Sequence, residues 1–146
     1  MGPLLSQIMS CKPLKILQYN VRKERAKVMI PLLESKEVQD MDILAIQELW
    51  YNPRNQSTYD PSTSQFHLFH RGEEGTRVCL YINKRVDIDS WEADYSSSDC
   101  CSIRLSMGKT TGEGPEATDL WIHNIYNPSP ATLRTEEGPS TLPEIV

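Results

Sequence analysis

Five side chains in this sequence combine types and positions that could do chemistry together. Asn20 ends the apolar run "KILQYNV" (15 to 21), and Glu48 ends "DILAIQEL" (42 to 49). Tyr126 ends "LWIHNIYNP" (120 to 128), with His123 and Asn124 just before it. The ends of neighbouring strands converge at one edge of a sheet, where residues far apart in sequence can meet. A carboxylate with neutral amides and a phenol suits a hard, oxygen-seeking cation such as Mg²⁺, which takes one or two carboxylates and keeps several waters. It does not suit zinc, for which His67, His70 and His123 are too scattered. The plainer reading of each residue stays open at this point. Asn20 could cap or turn the chain, and Glu48 could form a surface ion pair.

The elements that would hold these residues follow from hydrophobic periodicity. "LKILQYNV" (14 to 21) predicts a strand, with Ile16, Leu17, Tyr19 and Val21 in a core. Residues 24 to 36, "ERAKVMIPLLESK", place Val28, Met29, Leu32 and Leu33 at helical spacing. Pro31 lies inside that run and lacks an amide donor, which predicts a kinked or two-part helix. "MDILAIQEL" (41 to 49) is almost continuously apolar, as a strand covered on both faces must be. Strand, helix and strand in so short a span imply a crossover joining parallel strands.

Beyond a polar loop (51 to 65), four short alternating runs at 66 to 70, 77 to 86, 86 to 93 and 100 to 107 predict an antiparallel meander. A Gly-rich loop (108 to 119) precedes the strand at 120 to 128. It lacks the glycine five residues before Gly108 that a P-loop requires. The expected fold is α+β, one helix among about seven strands in a layered sandwich. Residues 1 to 13 read as an N-terminal extension, 14 to 128 as the domain, and 129 to 146, with its prolines, as a loop beginning a further connection.

Composition bounds the function classes. Of the 146 residues 38% are hydrophobic, a modest supply for one core, and 15 basic against 20 acidic residues give a net charge of −5. That balance gives no electrostatic support for strong nonspecific nucleic-acid binding. The four cysteines (11, 79, 100 and 101) have no C-x-x-C spacing and read as reduced structural thiols in an intracellular protein, nuclear or cytoplasmic. Signal-peptide features are missing, and no apolar run approaches the ~20 residues of a membrane span. No membrane association is expected, and oligomeric state is not legible.

"LQYNV", then a helix, then "DILAIQE" resembles the first two motifs of the endonuclease/exonuclease/phosphatase superfamily. The longer string from Leu14 to Pro53, with "GTRVCLYINKRV" and "LWIHNIYNPSP", is similar to the apurinic-endonuclease-like domain of LINE-type (non-LTR) retrotransposons, particularly fungal ones. The resemblance implies a four-layer α/β sandwich with its active site across the top of two packed sheets. It implies that Glu48 is the Mg²⁺ ligand and Asn20 the second metal-site residue, organising the metal and nucleophile site, with Mn²⁺ as the alternative cation, and that Tyr126 directs its hydroxyl at the scissile phosphate of DNA. Family members also carry G-D-x-N and S-D-H segments after the tyrosine motif, and neither occurs here. The expectation is therefore the N-terminal half of such a domain, truncated, weakly active or inactive. In that half the apolar faces of Ile16, Leu44 and Ile122 would be partly uncovered, and "LWIHNIY" would lack a neighbour. The rival readings are another superfamily hydrolase, acting on a phosphoinositide or a nucleotide, and a non-catalytic interaction module.

Overall fold

The computed structural model describes residues 13–107 and 118–128. The two long terminal stretches and most of the Gly-rich loop thus lie outside the described residues. The chain is a mixed α+β structure with two sheets. The first holds β1 (Ile16–Asn20), β2 (Ile43–Gln47), β3 (Phe66–Phe69) and β4 (Val78–Asn83) in the order β1-β2-β4-β3. The second holds β5 (Trp91–Ser97), β6 (Cys100–Met107) and β7 (Thr118–Ile125) in sequential order. β1 and β2 are parallel, while β4 runs antiparallel to both β2 and β3.

The crossover between β1 and β2 is a broken helix, and Pro31 explains its form. In a regular α-turn the proline ring would strike the carbonyl four residues back. The chain instead opens a wide π-helical turn over Arg25–Met29, in which the Met29 amide donates to the Glu24 carbonyl at 2.9 Å. The α-helical segments α1 (Ile30–Glu34) and α2 (Lys36–Gln39) follow, separated by Ser35 in an extended conformation.

Alternation along the strands builds three layers. Val21, Leu44, Ile46, Cys79 and Tyr81 face the helical segments and pack on Met29, Leu33 and Val38. Ile43, Ala45, Val78, Leu80 and Ile82 face the other way, onto Cys101, Ile103 and Leu105 of the second sheet. Covered on both sides, β2 and β4 are apolar up to their last residues, Gln47 and Asn83, because either face left in water would lose its burial energy.

Several expectations need correction. Tyr19, expected in the core, is 43% exposed, and Ile16 is 43% exposed, in line with the expectation of a partly uncovered face, because β1 is an edge strand with a neighbour on one side only. Leu44 is fully buried, since it faces the helical layer. The four runs after residue 65 do not form one meander. β3 and β4 complete the first sheet, and β5 to β7 form the second. The run placed at 86 to 93 is a 3₁₀ turn over Ile88–Ser90 with the strand starting at Trp91. Asp87 explains that shift, its side chain capping the turn by accepting from the Asp89 amide at 3.1 Å. "LWIHNIY" does not lack a neighbour, since β7 pairs antiparallel with β6 and is open on its other side only. No helix among the described residues is long and apolar enough to cross a membrane.

Cys79, Cys100 and Cys101 are free and buried. Burial pushes the Cys79 and Cys101 thiols and the Tyr81 and Tyr95 phenols well above their ordinary pKa values. These groups hold their protons to higher pH in the folded chain than in the unfolded one. Their stabilisation is complete below the unfolded thiol value of ~8.5 and is lost as pH rises above it, by up to about 1.4 kcal/mol per pH unit for each thiol. Urea midpoints should therefore fall steeply between pH 8 and pH 10. The Cys79→Ala, Cys101→Ala double variant should show a shallower slope, and an unchanged slope would contradict the burial argument.

Candidate metal and phosphate site

The parallel pairing of β1 and β2 places Asn20 opposite Gln47, so both strands end at one edge. Glu48 is the next residue. Asn20 donates from Nδ2 to Glu48 Oε2 at 2.6 Å, while its Oδ1 accepts from the Arg22 backbone amide at 2.9 Å. A backbone N–H can only donate, so the Arg22 contact fixes which end of the Asn20 amide is oxygen. Asn20 thus holds the carboxylate in place.

The backbone here is unusual. Arg22, Lys23 and Glu48 have φ of 53°, 60° and 50°, the left-handed region that costs a non-glycine residue about 1–2 kcal/mol. Hydrogen bonds hold the strained turns together. The Lys23 amide donates to the Glu48 carbonyl at 2.7 Å, and the Glu48 amide donates to the Arg77 carbonyl at 2.7 Å. Strain of this kind persists where surrounding structure over-determines it, and it clusters at functional sites.

Glu48 opens onto a cavity of about 650 Å³ whose wall includes Lys23, Trp50, Tyr51, Thr76, Arg77 and Tyr126. Arg77 arrives because β4 runs antiparallel to β2, with Val78 opposite Gln47, so the residues entering β4 meet those leaving β2. Its guanidinium lies 5.5 Å from the Tyr126 ring centroid and 3.0 Å from Asp99. Burial raises the Tyr126 phenol above its ordinary value, and the Glu48 carboxylate raises it further, while Arg77 pulls the other way. At neutral pH the phenol keeps its proton and is a hydrogen-bond donor. Thr76 is only 4% exposed, and its hydroxyl has no hydrogen-bond partner among the described residues.

Tyr126 reaches the cavity because Asn124 anchors the end of β7. That buried amide donates to the carbonyls of Ile46 at 3.0 Å and Cys79 at 2.8 Å, tying the second sheet to β2 and β4. Gln47 reinforces the tie by donating to the Ile125 carbonyl. Ile46 and Asn124 each lie two residues before a cavity residue, Glu48 and Tyr126. Asn124→Ala should remove both hydrogen bonds between the sheets and leave a void, at a cost of about 2–3 kcal/mol. It should also loosen the geometry between Glu48 and Tyr126. Urea unfolding checks the first effect, and a wild-type midpoint would refute the anchor.

Of the five residues singled out in the sequence, the structure joins Asn20 to Glu48 and brings Tyr126 to the cavity that Glu48 lines. Asn20 itself lies outside that wall. His123 is elsewhere, on the exposed face of the second sheet, 2.6 Å from Ser102 Oγ and stacked on Trp121. Lys23, Trp50, Tyr51, Thr76 and Arg77 were not singled out. The antiparallel return of β4 was the signal that could have located Thr76 and Arg77.

Among the described residues no three His, Cys, Asp or Glu side chains cluster to hold a metal ion. Glu48 and Glu74 are the carboxylates of the cavity wall. Such a set fits a cation that binds through one or two carboxylates and keeps its waters, and it does not fit zinc. No family model matches the chain, and neither the curated proteins nor the solved structures contain a match to it.

Proposed function

We propose that this cavity is the phosphate-binding centre of a Mg²⁺-dependent phosphodiesterase of the endonuclease/exonuclease/phosphatase type, acting on DNA. The observation that carries the reading is Glu48: a carboxylate held by Asn20 on left-handed backbone, opening onto a cavity shared with a protonated phenol and an arginine. Two packed sheets with helical segments on one face are compatible with part of the four-layer sandwich that the sequence resemblance implies, and this supports the reading. Glu48 would hold Mg²⁺ (or Mn²⁺) with water completing its shell, and Asn20 would fix the carboxylate's orientation. The bound cation supplies Lewis-acid neutralisation of phosphate charge. Tyr126 donates a hydrogen bond to a phosphate oxygen, and Arg77 and Lys23 place positive charge beside it. An intracellular setting, nucleus or cytoplasm, agrees with the buried free thiols.

No histidine is among the described residues lining the cavity. A missing general base costs about 10²–10⁴-fold in rate, and the net charge of −5 opposes approach of a polyanion. The expected result with supercoiled plasmid and excess protein is at most trace Mg²⁺-dependent nicking, and Tyr126→Phe should reduce any trace further. Nicking that persists in a chelator would overturn the reading. Cleavage of a phosphoinositide in preference to plasmid would move the chain to another hydrolase class. An interaction module is the second reading, favoured by the exposed edge residues Ile16 and Tyr19 and by Trp121, 55% exposed on the second sheet.

A further inference from the structure

We propose that Trp50, with Tyr51 beside it, is a stacking platform for a nucleobase whose phosphate lies at Glu48, Thr76 and Arg77, a proposal that rests on the phosphodiesterase reading. The cavity wall is built from two chemically distinct sets of residues. Lys23, Glu48, Thr76 and Arg77 are polar or charged, whereas Leu49, Trp50, Tyr51 and Pro53 are apolar or aromatic. Glu48 and Trp50 are two residues apart, so their Cα atoms are at most about 7 Å apart. That is the scale on which a nucleotide separates its phosphate from its base.

Trp50 is prepared for such a role by its other neighbour. The Arg25 guanidinium lies 5.0 Å from its ring centroid, and Arg25 is not part of the cavity wall. Trp50 is also half-buried against the helical-layer core, so core packing and the Arg25 cation together hold the ring in place while part of it borders the cavity. In the same wall the Thr76 hydroxyl, buried and without a hydrogen-bond partner among the described residues, supplies an unsatisfied donor for a phosphate oxygen. A ligand that satisfies both sets has a flat π-face and an anionic oxygen cluster. A nucleotide unit has both, provided its base is unpaired or turned out of the helix. An inositol phosphate has the oxygens without the π-face.

The test compares a short, fluorescently labelled oligothymidylate with an abasic deoxyribose-phosphate oligomer of equal length, in Mg²⁺ at low ionic strength. The oligothymidylate should bind the wild-type chain about tenfold more tightly than the abasic oligomer, the scale of one base–aromatic stack. Trp50→Ala should remove that preference. Trp50→Phe should retain it while losing the quenching of tryptophan fluorescence that accompanies binding. Equal affinity for the two oligomers, no measurable binding of either, or a preference surviving Trp50→Ala would overturn the proposal. The metal reading is scored separately by Glu48→Ala. That change should abolish the Mg²⁺ dependence of binding and leave the base preference in place, and Mg²⁺ dependence that survives it would count against the phosphodiesterase reading alone.

Discussion

Glu48→Ala should eliminate specific Mn²⁺ binding, read as the loss of spectral broadening when the wild-type chain is titrated with the ion. Of the two wall carboxylates, Glu48 is the one that Asn20 holds in place. Asn20 spends its Oδ1 on the Arg22 amide and offers only an N–H toward the site. Glu48→Gln should fail as completely as alanine, since a neutral amide does not replace the charge a hard dication requires. The backbone supplies a second expectation with opposite sign. At φ 50°, glycine is relaxed where glutamate is strained, so Glu48→Gly should leave stability unchanged or raise it by up to about 1 kcal/mol. Glu48→Val, β-branched on the same backbone, should destabilise by more than alanine does. A chain that gains stability while losing its cation shows strain held for function. Mn²⁺ binding that survives Glu48→Ala would remove the metal from this edge of the sheet.

The largest stability effect should come from Asn83, far from the cavity. This fully buried residue ends β4 and uses both ends of its amide. Nδ2 donates to the carbonyls of Gln39 at 3.0 Å and Met41 at 2.9 Å, and Oδ1 accepts from the Arg85 amide at 3.0 Å and from Gln65 Nε2 at 3.1 Å. It thereby ties the end of α2 and the entry to β2 onto β4. Asn83→Leu keeps the branched shape, adds some volume and orphans these partners, for a loss of about 3–5 kcal/mol. Set against a total of about 5–15 kcal/mol for a native domain, that loss leaves the fold marginal. Asn83→Asp adds a pH test. A carboxyl buried there has its folded pKa raised above the unfolded value of ~3.9. Its stability relative to wild type is then best below that value and is lost as pH rises through the folded pKa. Urea midpoints at pH 4 and pH 7.5 measure the difference. A variant equally stable, relative to wild type, at both would mean the side chain is not enclosed as described.

Asn20, Glu48, Asn83 and Asn124 share one signature in the sequence: a polar residue where an apolar strand finishes. The sequence alone determined that these strands exist, because period-two alternation and uninterrupted apolar runs record local burial. It also determined that β1 and β2 are parallel, because a helical crossover leaves little alternative, and so it brought Asn20 beside Glu48. Pro31 likewise announced the broken helix. What the signature means at each position was decided by strand direction and by the docking of the second sheet. β4 runs antiparallel to β2, so Asn83 lies at the edge opposite the cavity and serves as a clamp. The same reversal brings Thr76 and Arg77, at the start of β4, to Glu48. Asn124 became an anchor only because β7 packs across β2 and β4, a contact between residues 45 and 78 positions apart. Periodicity reports which side of a strand is buried, and it carries no record of what buries it. Only tertiary packing could separate the residues that hold the sandwich closed from those that face the cavity.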